Sequence, residues 1–145
     1  MNNNITVTEG YAPEITETVV RPLFSSGVSA GFPSPADDFI DKRLNLNEFL
    51  ISNDAATFYL RVEGDSMRGS GIFSGDILIV DRSVKPQNSN VVIAVLDGEL
   101  TVKRLRIMHG KFILEPDNPD YEPIEIYEGM HFEVWGVVTY VIHRL

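Results

Sequence analysis

Asn90-Val91-Val92-Ile93-Ala94-Val95-Leu96-Asp97-Gly98-Glu99-Leu100-Thr101-Val102-Lys103-Arg104-Leu105-Arg106-Ile107 is the stretch whose reading decides the fold. Two apolar, β-branched runs flank Asp97-Gly98, a residue pair suited to a two-residue hairpin turn. The segment therefore reads as two antiparallel strands, Asn90–Leu96 and Glu99–Ile107. Counting by two along the second strand puts Thr101, Lys103, Leu105 and Ile107 on one face and Arg104 and Arg106 on the other. One ammonium is thereby expected on an apolar face of a half-buried strand.

The pattern continues on both sides of the hairpin. Strands are predicted at Phe58–Glu63, Asp76–Asp81, Lys111–Glu115, Ile124–Tyr127 and Phe132–His143. Turn residues separate them at Ser74-Gly75, His109-Gly110 and Asn118-Pro119. Many short strands with tight turns predict a mostly β chain, a compact, twisted antiparallel fold. Toward the N-terminus the chemistry changes. Residues 1–30 carry Glu9, Glu14, Glu17 and Arg21 among many Asn, Ser and Thr, and are expected to form an extended arm that builds no core. Within it Thr18-Val19-Val20 can pair as an edge strand, and the small residues Ser25 to Gly31 are expected to be flexible. Ser34-Pro35-Ala36-Asp37 carries a helix start, with Ser as N-cap and Pro at the first position, so a short helix is predicted over Pro35–Arg43. Asn45–Ile51 is expected to add a further helical turn. The chain thus divides into an arm, 1–30, and a body, 31–145.

Composition narrows the functional classes. The chain has 145 residues, 43% of them hydrophobic, enough for one domain with a real core. It has no cysteine, which excludes disulfides, thiolate metal sites and a thiol nucleophile, and no cofactor or metal is expected. Twelve Lys and Arg against 21 Asp and Glu give a net charge of −9, a field that opposes unaided binding to DNA or anionic membranes. The apolar runs fall well short of the ~20 residues of a membrane span, and Met1-Asn2-Asn3-Asn4 lacks the character of a signal peptide. A cytoplasmic location is expected.

Few residues offer chemistry. His109, His131 and His143 lie in turns or at a strand end, without metal-ligand spacing or a triad pattern, and read as surface residues. Asp117 and Asp120 flank a proline turn and read as solvated loop carboxylates. Gly64-Asp65-Ser66-Met67-Arg68-Gly69-Ser70-Gly71 is glycine-rich but lacks the lysine and spacing of a phosphate loop. It admits two readings. It can be a plain turn, or it can project the Ser66 hydroxyl beyond a sheet edge, with the N–H groups of Asp65 and Ser66 as an oxyanion-binding pair. Lys103 is equally double. Its stem can cover apolar surface while its head reaches water. Alternatively, desolvation lowers its pKa from about 10.4, at which roughly one molecule in 2,000 is neutral at pH 7, and makes it a general base for serine. A third feature joins these two: Ser29-Ala30-Gly31 offers small residues in an extended arm, suited to a scissile bond. A tethered substrate has an effective concentration in about the mM range or higher, so even a modest site can cut it.

Taken in order, these motifs resemble the UmuD/LexA family of self-cleaving serine peptidases. The resemblance runs from about Pro22 to the C-terminus. It rests on Pro22-Leu23-Phe24, Gly31-Phe32-Pro33-Ser34-Pro35-Ala36, Gly64-Asp65-Ser66-Met67 and Gly75-Asp76-Ile77-Leu78-Ile79-Val80-Asp81. Asp97-Gly98-Glu99, Thr101-Val102-Lys103-Arg104-Leu105 and Gly136-Val137-Val138 extend it. It implies a fold of the family's C-terminal-domain type, Ser66 as nucleophile, Lys103 as general base and Ala30-Gly31 as the bond cut. It further implies stimulation by a RecA filament on single-stranded DNA, and a shortened homodimer that joins a UmuC-type polymerase in error-prone lesion bypass. UmuD proteins often carry Cys-Gly at the cut, whereas this chain carries Ala-Gly, as LexA repressors do. Only 30 residues precede that bond, too few for a helix-turn-helix domain, so a repressor is not expected. Two other readings remain: a signal-peptidase-like Ser–Lys protease, and an interaction module with a decayed dyad.

Overall fold

A computed structural model describes residues 5–24 and 40–145 and divides the chain into two compact units, 14–52 and the remainder. The expected boundary at residues 30 and 31 and the first part of the predicted helix, residues 35–39, lie outside the described residues.

In the larger unit the hairpin forms as read. β6 (Val91–Leu96) and β7 (Glu99–Met108) pair antiparallel from Leu96↔Glu99 to Val91↔Arg104. Both turn residues have positive φ, 49° at Asp97 and 85° at Gly98. This is the geometry whose twist matches a hairpin, and it explains the need for Asp-Gly there. β1 (Thr6–Tyr11), β4 (Thr57–Glu63), β5 (Ile77–Asp81), β8 (Lys111–Glu115), β9 (Ile124–Glu125) and β10 (Phe132–Ile142) complete an eight-stranded sheet. Its order is β1-β4-β5-β10-β6-β7-β8-β9. A further pairing of Thr6 with Thr101 joins β1 to β7, so β1 closes a six-stranded ring.

The sheet is packed on both faces. Ile93 and Val102 join Leu60, Val62, Met67, Leu78 and Val80 in one core cluster, while Val92, Ala94 and Leu105 join Leu114 and Val137 in a second. That accounts for the unalternating run Val91–Leu96, because a strand covered on both faces has no polar side. It also corrects the expectation of a half-buried β7: the neighbours Val102 and Lys103 point to opposite faces and are both buried.

Two readings of the N-terminal region change. Ile5 is fully buried in the first core cluster, so the arm does contribute to a core, and β1 is a strand the sequence pattern did not reveal. Its exposure pattern is almost wholly solvent-facing, so hydrophobic periodicity could not mark it. In the smaller unit, β2 (Val20–Phe24) pairs antiparallel with β3 (Ile40–Asn45), and α1 (Leu46–Leu50) follows. The part of the predicted helix that is described, Ile40–Arg43, is therefore strand. Local N-terminal helix signals yield there to the ladder with β2. The second helical turn does form, capped by the Asn45 side chain, which accepts the Asn47 N–H at 3.0 Å.

Candidate active site

β4 ends at Glu63 and the chain turns sharply through Asp65 and Ser66 into a single 3-10 turn, Arg68–Ser70. Met67, with no exposed surface, anchors this turn in the core, and Ser66 beside it is equally buried. From β7, Lys103 enters the same space. Its Nζ lies 3.2 Å from Ser66 Oγ, 3.1 Å from Thr101 Oγ1 and 3.1 Å from the Val102 carbonyl oxygen. The two residues singled out 37 positions apart in sequence are thus in direct hydrogen-bond contact.

The donors and acceptors fit either charge state of the lysine. An ammonium donates to all three oxygens. A neutral amine keeps two N–H bonds, to Thr101 and Val102, and turns its lone pair toward the Ser66 hydroxyl, which then donates. Burial favours the neutral state. Lys103 is 1% exposed, and desolvation pushes its pKa down to about 8. At pH 7 about one molecule in ten is then neutral, against roughly one in 2,000 for a free lysine.

The remaining wall of the site is Ile5 and the start of β1, which follows it. The Ile5 N–H donates to Ser66 Oγ at 3.0 Å, and the Thr101 hydroxyl donates to the Ile5 carbonyl at 2.9 Å. One residue of extended backbone therefore spans the serine and the lysine's own partner. Beside it a cleft of about 210 Å³, lined by Thr6, Leu100, Thr101, Lys103 and Ile124, reaches the lysine.

A loop after β8 holds the turn from below. Its Asp117 N–H donates to the Ser66 carbonyl at 2.8 Å, and its carbonyl accepts the Gly69 N–H at 2.7 Å. Gly69 is needed for that approach, because a Cβ there would lie 2.5 Å from Asp117 Oδ1 and 2.8 Å from its carbonyl oxygen. Asn118 Nδ2 donates to the Asp65 carbonyl at 2.9 Å, and the Tyr121 hydroxyl to Asp65 Oδ1 at 2.5 Å. Burial and that hydrogen bond push the Tyr121 phenol up to about 12. Asp117 is thus a structural partner of the turn and not merely a solvated carboxylate. Sequence reasoning also passed over Ile5, Asn118, Tyr121 and the role of Thr101. Only Thr101 carried a signal, since it shares the face of Lys103 two residues away.

Other expectations fall differently. None of the three histidines bonds to Ser66 or Lys103; His143 lies 2.7 Å from Asp76 Oδ1 at the far end of β10. Ala30 and Gly31 lie outside the described residues. Among the described residues, no His, Asp and Glu group could hold a metal, and no helix is long and apolar enough to cross a membrane.

A serine and a lysine are thus buried together inside a closed antiparallel sheet, and comparison with known proteins gives the class of this β fold, a peptidase family. Residues 22–139 match the family described as Peptidase S24-like. The chain is 46% identical over 134 residues to protein ImpA of Escherichia coli, covering 91% of this chain and 90% of that one. It is 45% identical to protein SamA of Salmonella typhimurium over 123 residues, 85% of each. Identity to protein MucA of Escherichia coli is 40% over 120 residues, 82% of each. The chain belongs to the peptidase S24 family, as one of its UmuD-like members.

The depressed lysine pKa has a consequence for stability. The folded state holds its proton less tightly than the unfolded chain, so folding at neutral pH carries a penalty that vanishes as pH rises from about 8 through the unfolded value of 10.5. A tenfold change in proton affinity is worth about 1.4 kcal/mol, so the penalty at pH 7 is of order 3 kcal/mol. Lys103→Met, of similar length and uncharged, removes this pH dependence, so its stability relative to the native chain should improve by that order between pH 11 and pH 7, on top of a pH-independent loss of the three hydrogen bonds. Denaturant melts at both pH values test this, and a stability difference that is the same at pH 7 and pH 11 would show that the buried amine imposes no such penalty.

Proposed function

We propose that this chain is a self-cleaving serine peptidase of the SOS mutagenesis response that cuts its own Ala30-Gly31 bond. The observation that carries the reading is the 3.2 Å contact between Ser66 Oγ and a desolvated Lys103 Nζ. Neutral Lys103 takes the Ser66 proton as Oγ attacks the Ala30 carbonyl carbon. The oxyanion forms against the N–H groups of Asp65 and Ser66, and the C–N bond breaks as the proton passes from Lys103 to the Gly31 nitrogen. Water, deprotonated by the same amine, then hydrolyses the Ala30 ester and frees Ser66. The products are residues 1–30 and 31–145.

The family resemblance supports the wider setting. A RecA filament on single-stranded DNA stimulates the cut by favouring the state in which the bond is docked, without supplying a catalytic group. The shortened form, as a homodimer, serves a UmuC-type error-prone polymerase, in the cytoplasm and without sequence-specific DNA binding of its own.

Purified chain incubated alone should release fragments of 30 and 115 residues, slowly near neutrality. The rate should rise about tenfold per pH unit below pH 8 and level off above it, following the deprotonated lysine. Ser66→Ala and Lys103→Ala should both be inert. A profile flat from pH 6 to 10, or processing that survives in the Ser66→Ala variant, would remove the dyad from the mechanism.

β1 adds a second expectation. The Ile5 N–H occupies Ser66 Oγ, so Ala30-Gly31 reaches the nucleophile only after β1 gives way. A chain beginning at Ala12 should cut itself several-fold faster than the full chain at the same pH. An equal or lower rate would mean that β1 does not compete for the cleft.

A further inference from the structure

The loop that follows β8 reaches the turn at Ser66 through backbone and side-chain hydrogen bonds, and it grips both peptide groups that flank Ser66. The Asp65 carbonyl belongs to the amide whose N–H is that of Ser66. A trans amide is planar with its C=O and N–H antiparallel, so fixing the oxygen fixes the direction of the N–H. Asn118 Nδ2 holds that oxygen at 2.9 Å, and the next amide along, through the Ser66 carbonyl, is held by the Asp117 N–H at 2.8 Å. Asn118 is itself fixed from its other end, where Oδ1 accepts the Asp120 N–H at 2.9 Å, and its carbonyl accepts the Tyr121 N–H at 3.1 Å. The loop is tied to the strand that bears Lys103 as well: Asp117 Oδ2 accepts the Ser70 hydroxyl at 2.6 Å, and Arg104 donates to Ser70 Oγ at 2.8 Å.

We propose that Asn118 is a positioning residue for self-cleavage: by clamping the Asp65 carbonyl it aims the Ser66 N–H at the oxyanion formed on the substrate carbonyl. This rests on the peptidase reading above. Asn118 touches neither Ser66 Oγ nor Lys103 Nζ among its hydrogen bonds, so it acts on the charge that develops in the transition state and leaves the base alone. Preorganised donors matter most there, since an oxyanion donor that must reorient during the reaction loses most of its advantage.

Asn118→Asp separates these roles. The carboxylate has the shape of the amide and still accepts the Asp120 N–H, but it has no donor for the Asp65 carbonyl and sets oxygen against oxygen. Alkaline self-cleavage of the full chain should plateau about ten- to a hundredfold below the wild-type rate, a fraction of the roughly 100- to 1,000-fold that removing an oxyanion donor outright costs. The midpoint of the pH–rate profile should stay where Lys103 sets it. Asn118→Ser, too short to reach Asp65 but still able to accept from Asp120, should behave alike and decides the matter if the Asp variant does not fold. Ser66→Ala measured alongside keeps the two readings apart, because cleavage that persists without Ser66 overturns the peptidase assignment itself. If cleavage needs Ser66 and a folded Asn118 variant reaches the wild-type plateau, the clamp alone is overturned. A shifted midpoint with an unchanged plateau would overturn it too, by showing that Asn118 acts through the lysine.

Discussion

The site depends on one costly arrangement, an amine held almost without water inside a β-sheet. Lys103 sits where its strand is covered on both faces, beside Leu105 and opposite Val92 on β6. Desolvation works against the ammonium there, and three oxygens within 3.2 Å compensate part of that cost. Two of them, on Thr101 and Val102, belong to β7 itself and move with the lysine. The third is that of Ser66, the proposed nucleophile. The strand thus carries the amine together with two of its three partners, and the fold need only deliver the serine to it.

That delivery is a backbone problem. Ser66 has no secondary structure to hold it, being at the mouth of a turn between β4 and a single 3-10 turn. Its position comes from the Met67 side chain below and from carbonyl and amide bonds to the 117–118 loop beside it. Every bond of that loop to the turn's backbone is local in space and distant in sequence. Gly69 is the one residue whose lack of a side chain makes the approach possible. Backbone amides held in this way are suited to charge stabilisation because they need no reorganisation when charge appears.

β1 completes the seal. It closes the ring between β4 and β7, and Ile5, just before it, is buried and bonds to both Ser66 and Thr101. Excluding water in this way lowers the lysine's affinity for its proton, and the Ile5 N–H takes up one of the hydrogen-bonding positions of Ser66 Oγ.

Most of the body was legible from local pattern. The Asp97-Gly98 hairpin, the strands from β4 to β10 and the lone lysine on an apolar face follow from period-two alternation and turn chemistry, which are properties of neighbouring residues. The pairing of Ser66 with Lys103 was legible only because few other residues in the chain can do such chemistry, and because their motifs resemble a family. The strand at Thr6–Tyr11 was not legible, since its side chains are mostly exposed and its contribution is backbone pairing, with one buried isoleucine just before it. Residues 40–43 read as helix because local start signals precede them, whereas pairing with β2 makes them strand. What the sequence by itself determined was which groups were available: a serine, a lysine with Leu105 and Ile107 on its face, no cysteine and no histidine set. Only the tertiary structure decided their state, because a pKa, a hydrogen-bond direction and the orientation of an amide depend on what is packed within a few ångströms. Those neighbours, Ile5, Thr101, Asp117 and Asn118, lie as far as 61 residues from Ser66 along the chain.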